Sequence, residues 1–159
     1  MILIKNLMRF VAFLLTFGEN KMTTSLVAMA AYIGWVLLLL LAVIAYRGFM
    51  VMSAQRKADA WTRGGDIQDG PLFKRISDAL SNSLETAPLF IGIMLLAQVT
   101  DQTAVTDGMA MVYVGARALQ SVSHLISVHH LMIFLVRFPA FLVQVALLVW
   151  WLLLLTSII

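Results

Sequence analysis

The sequence predicts an all-α integral membrane protein, a bundle of four helices that each cross the bilayer. Of its 159 residues, 62% are hydrophobic and only 12% charged, whereas a soluble domain carries about a quarter charged residues. The mean hydropathy is +0.95. A membrane-spanning helix needs roughly 20 apolar residues, and apolar stretches near that length recur along the chain. A chain this short holds four such spans and leaves no room for a separate catalytic domain, so any chemistry lies among the helices.

The first span is expected over residues 25–47. No charge occurs from residue 22 to 46, and from 26 onward the stretch is apolar apart from Gly34. Residues 47–70 follow with Arg47, Arg56, Lys57, Arg63, Asp59, Asp66, Asp69 and several glycines, the composition of a solvated loop. The second helix is expected over 72–99. Asp69 is a good N-cap, and Pro71 suits a first helical turn. Its first half is polar and its second half apolar, so it should start among the headgroups and carry polar groups inward. Residues 100–107 contain Asp101 and Asp107 with no basic residue and read as a short polar turn. The third span is expected over 106–128, with Arg117 inside it. After His129 and His130, which read as solvated loop residues, the fourth is expected over 131–157; from residue 138 to the end it has no charge.

The membrane domain thus occupies residues 22–159. Residues 1–21 carry Lys5, Arg9 and Lys21 around an apolar run too short to span, with no evident cleavage site. An interfacial helix, or an extension upstream of a start at Met22, fits them better than a signal segment. Lys and Arg concentrate in the first loop and at Lys74 and Arg75, while the other two loops contain none. By the positive-inside rule the first loop is cytoplasmic and both termini lie on the opposite side. The net charge of +3 is too small and too dispersed for nucleic acid. With no cysteine there is no disulfide framework, thiol nucleophile or thiolate metal site. The three histidines have no acidic or thiol companion at ligand spacing, so no metal site is expected.

Two sets of polar residues stand where the bilayer penalises them. Arg75, Asp78, Asn82 and Glu85 are spaced three, four and three apart, which confines them to an arc of about 80° on one helix. Tyr113, Arg117, Gln120, Ser121 and His124 gather likewise on one face of the next. An Asp, Lys or Arg at a helix centre costs about 2.5–3.5 kcal/mol on insertion scales, so both stripes should turn from lipid and meet in one polar site. Pro88 cannot donate to the carbonyl of Leu84 and frees an acceptor close by. As plain helix-to-helix glue, Asn82, Glu85 and Arg117 would form an ion pair and an amide contact. Arg75 and Asp78 would then be a surface pair, and Arg137 would snorkel to the interface.

The segment Arg75-(x)6-Asn82-(x)2-Glu85-(x)2-Pro88-Leu-Phe90, followed by Tyr113-(x)3-Arg117, resembles the membrane-associated proteins in eicosanoid and glutathione metabolism. That family includes microsomal glutathione transferases, prostaglandin E and leukotriene synthases, and a non-enzymatic lipid-presenting member. The resemblance extends over about residues 25–157 in helix order and loop length. It implies a homotrimer of four-helix subunits with glutathione bound between neighbours near the cytoplasmic face. Asn82 and Glu85 match the family's glutathione-contacting residues, with Arg75, Tyr113, Ser121 and His124 in the same binding set. Arg117 matches the third-helix arginine, and Arg137 the arginine at the start of the fourth helix that stabilises the glutathione thiolate; these two are the candidate catalytic residues. Asp78 departs from the pattern, standing where the synthases usually carry an arginine that grips a glutathione carboxylate, and His124 replaces a usual tyrosine.

Three functions follow. One is a glutathione-dependent transferase or peroxidase acting on lipophilic small molecules that enter from the membrane, with a cationic donor favouring the reactive thiolate. Asp78 and the missing tyrosine favour a second, a non-catalytic protein that binds membrane lipid or a partner. A small ion or proton carrier built on Glu85 and Arg117 is the third.

Overall fold

The computed structural model describes residues 22–57, 59–61, 69–126 and 133–158, among which helix is the only regular structure. Helix α1 runs Thr24–Met52, α2 Pro71–Val99, α3 Ala104–Asp107, α4 Ala110–Ile126 and α5 Phe138–Ile158. A π-helical turn, Ile133–Arg137, leads into α5. Residues 1–21, residues 58 and 62–68 of the first loop, and His129 and His130 lie outside the described residues.

Local chemistry sets the ends of these helices. The hydroxyl of Thr23 accepts from the Leu26 N–H at 3.3 Å and caps α1. At the far end of α1 the Ser53 hydroxyl donates to the Phe49 carbonyl at 2.7 Å. This helix outruns the expected span and carries Arg47, whose guanidinium lies over the rings of Trp61 and Phe73 at 5.6 and 5.7 Å. Pro71 does occupy the first turn of α2, but the N-cap is Gly70 rather than Asp69. Asp69 is engaged elsewhere: its carboxylate accepts from the Trp61 indole N–H at 2.9 Å. Pro88 lies inside α2 without ending it.

Among the described residues, three helices are long and apolar enough to cross a membrane: Thr24–Met52, Pro71–Val99 and Ile133–Thr156. The third expected span is divided. Residues 104–107 form the separate α3, and α4 has 17 residues, about 26 Å at 1.5 Å per residue and short of the roughly 30 Å hydrocarbon thickness. The break falls where α1 needs a partner. The Asp107 carboxylate accepts from the backbone N–H of Ser25, and the Ser25 hydroxyl lies 2.7 Å from that of Thr106.

Helices α1 and α5 each pack against both α2 and α4, which also pack on each other. Consecutive long helices run antiparallel: the start of α1 meets Asp107, while Tyr46 near its end stacks on Phe73 at the start of α2, with centroids 4.3 Å apart. The core is one aromatic ring from each of the four: Tyr32, Phe90, Tyr113 and Trp151, all fully buried. Phe90 and Tyr113 are parallel within 3° at 4.2 Å, and Trp151 sits 6.1 Å from Tyr113 at 42°. Such pairs add about 0.5–1.5 kcal/mol beyond area burial. Outward, α1 and α5 present large apolar side chains such as Leu38, Leu41, Trp150 and Leu153. A surface of that kind suits hydrocarbon rather than water.

Candidate functional site

On one side of the aromatic layer, toward the end where α1 closes on α2, the polar faces of α2 and α4 meet. Arg117 of α4 is 1% exposed. Its Nη1 donates to the Asn82 carbonyl at 3.3 Å and its Nη2 to the Thr86 hydroxyl. An arginine keeps its charge in any environment, and among the described residues no carboxylate reaches it within salt-bridge distance. The Asn82 side-chain amide donates to His124 Nε2 at 3.2 Å. One turn away, the hydroxyls of Ser83 and Ser121 lie 3.5 Å apart, and Trp35 of α1 donates its indole N–H to Ser121 at 3.2 Å.

Two more arginines close this end. Arg75 donates to the carbonyls of Leu125 and Ile126 at 3.3 and 3.4 Å. It thereby caps the C-terminus of α4 with a cation, where the helix dipole favours one. Arg137, in the π-helical turn, is buried and donates to the Ser123 carbonyl at 3.1 Å. It is held inside, not snorkelling. Asp78 is exposed and interacts electrostatically with His124 and Arg137. Behind the cluster, the buried Gln144 amide of α5 donates to Gln120 Oε1 at 2.9 Å and to the Ala140 carbonyl at 2.8 Å.

Of the residues singled out in sequence, Asn82, Arg117 and His124 come into direct contact. Ser121 joins through Ser83, and Arg75 and Arg137 both grip the last turn of α4. Tyr113 does not join. It is buried in the aromatic layer one turn from Arg117, and its hydroxyl has no partner among the described residues. Glu85 does not join either: it is exposed on α2, and no ion pair links it to Arg117. The three-four spacing explains this, since the stripe has two edges and only the Asn82 edge faces α4.

Sequence reasoning passed over Tyr32, Trp35, Ser83 and Thr86. The Tyr32 hydroxyl donates to the Ser83 carbonyl at 2.7 Å and lies 3.1 Å from the Thr86 hydroxyl. Tyr32 and Trp35 are polar-tipped side chains deep in the apolar stretch of α1, three residues apart and so on one face. That was the available signal. Arg117 and Tyr32 donate to the carbonyls of Asn82 and Ser83, immediately before the Leu84 carbonyl that Pro88 frees.

Apolar helices of membrane-crossing length around a buried arginine cluster define a polytopic membrane protein with an internal cationic site. The sequence matches the model of the MAPEG family over residues 25–157, and the protein belongs to that family. Comparisons with curated proteins and with solved structures give no significant match.

Proposed function

We propose that the protein is a membrane-embedded, glutathione-dependent transferase or peroxidase acting on lipophilic electrophiles. The observation that supports this reading best is a set of three arginines along the polar face of α4: Arg75 and Arg137 hold its last turn and Arg117, midway along it, donates to Asn82, with Asp78 acting electrostatically on Arg137. Such a site favours an anionic ligand, and glutathione brings two carboxylates and a thiol. Arg117 or Arg137 would stabilise the thiolate, with Ser121 or His124 as a further hydrogen-bonding group. The thiol proton leaves to solvent, the thiolate attacks the electrophilic carbon, and the leaving group departs.

In this reading α4 is the third of four crossings, the first loop is cytoplasmic, and three subunits assemble. The exposed Glu85 supports assembly, because a carboxylate facing lipid is costly and a neighbouring subunit would shield it. A second reading, a non-catalytic member that binds lipid or a partner, draws on two observations: Asp78 repels a carboxylate, and the Asn82 amide is already engaged by His124.

The test is glutathione titration of the purified protein in detergent, followed by turnover of a generic electrophile. Saturable binding that Asn82→Ala abolishes supports the enzyme. No binding at millimolar glutathione rejects it in favour of the second reading.

A further inference from the structure

We infer that Tyr32 of α1 is a positioning residue that sets the place of the Arg117 guanidinium through Thr86. The inference rests on hydrogen-bond polarity. Arginine only donates, so in the Arg117 Nη2 contact the Thr86 oxygen must accept. The Thr86 proton is then available to the Tyr32 oxygen 3.1 Å away. Tyr32 in turn donates to the Ser83 carbonyl at 2.7 Å, an oxygen with no proton to return. The chain therefore runs one way, from Arg117 to Thr86 to Tyr32 to the α2 backbone, and every hydroxyl in it is used as both donor and acceptor. Tyr32 is fully buried beside Phe90 and Tyr113 at 5.0 and 6.0 Å, so its ring is fixed by packing and its oxygen has little freedom.

Removing the Tyr32 oxygen has a specific consequence. A threonine in a helix readily donates to the carbonyl four residues back, which for Thr86 is that of Asn82. This is the oxygen that accepts from Arg117 Nη1. Without Tyr32, Thr86 turns to Asn82 and competes with Arg117 for it, so both guanidinium contacts are disturbed by a change on a different helix. The bearing of this on ligand binding rests on the proposed function; the placement of Arg117 does not.

The test separates the two. In protein labelled with 15N-arginine and held in detergent, the Arg117 Nη resonances are identified by their loss in Arg117→Lys. Hindered rotation of a guanidinium held through both Nη groups keeps them distinct. Tyr32→Phe and Thr86→Val are each expected to shift and merge them, whereas Thr86→Ser, which keeps the hydroxyl, retains them. Should Tyr32→Phe fail to fold, the two Thr86 variants test the link through which Tyr32 acts. Unchanged Arg117 resonances in Tyr32→Phe, or in Thr86→Val should Tyr32→Phe fail to fold, overturn the inference, whatever the protein binds. Glutathione titrated into the same samples is expected to show a Kd raised about tenfold in Tyr32→Phe, the scale of a lost hydrogen bond to a charged group. Shifted resonances without glutathione binding by the unmutated protein would uphold the role of Tyr32 and reject the proposed function alone.

Discussion

The carboxylate of Asp107 accepts from the backbone N–H of Ser25 at 2.7 Å and from its hydroxyl at 2.6 Å. An acid from the polar turn thus satisfies an orphan donor at the N-terminus of a distant apolar helix and favours its dipole. Asp107→Ala should lower stability by about 1–2 kcal/mol. Thermal unfolding in detergent followed by circular dichroism reads this as a lower midpoint, and an unchanged midpoint would show the contact to be idle.

Asp78 sits at the cationic cluster and opposes any carboxylate there. Asp78→Arg replaces a repulsion with an attraction, each about 1 kcal/mol at contact in water. Glutathione affinity should rise about thirtyfold at low salt, with the gain shrinking as ionic strength rises. Titration calorimetry at two salt concentrations checks both parts, and weaker binding by the variant would mean that Asp78 has a favourable role.

Glu85 has no ion-pair partner among the described residues although it stands on a helix of membrane-crossing length. Under the proposed assembly, Glu85→Ala should shift the detergent complex from three chains toward fewer, as measured by native mass spectrometry. An unmutated protein that runs as a single chain would remove the basis for this expectation.

The Gln120 and Gln144 amides meet inside the protein at 2.9 Å. Gln144→Leu strands Gln120 Oε1 and should cost about 1–3 kcal/mol. Replacing both by Leu should restore most of that loss, because no unpaired acceptor remains. Chemical denaturation of the single and double variants forms the cycle, and additive losses would argue that the pair is not coupled.

Most of the fold was legible in sequence because the membrane enforces it. Long apolar stretches have few alternatives to a spanning helix, and loops betray themselves by charge and glycine. The site was half legible: helical spacing gathered Asn82, Arg117, Ser121 and His124 on faces that do meet. It could not assign the edges of a stripe, so Glu85 was grouped with Asn82 although only Asn82 faces α4.

The sequence by itself therefore determined an all-helical membrane protein of the MAPEG family with polar faces on two adjoining helices. Tertiary structure decided the rest. It placed Asp69 on Trp61 and left Gly70 to begin α2, cut α3 from α4 where Ser25 recruits Asp107, and brought Tyr32 from an apolar helix to hold Thr86. The reason is the same in each case. Hydropathy and periodicity report how a residue relates to its own helix, while a buried hydrogen bond is fixed by which donor on another helix arrives within about 3 Å.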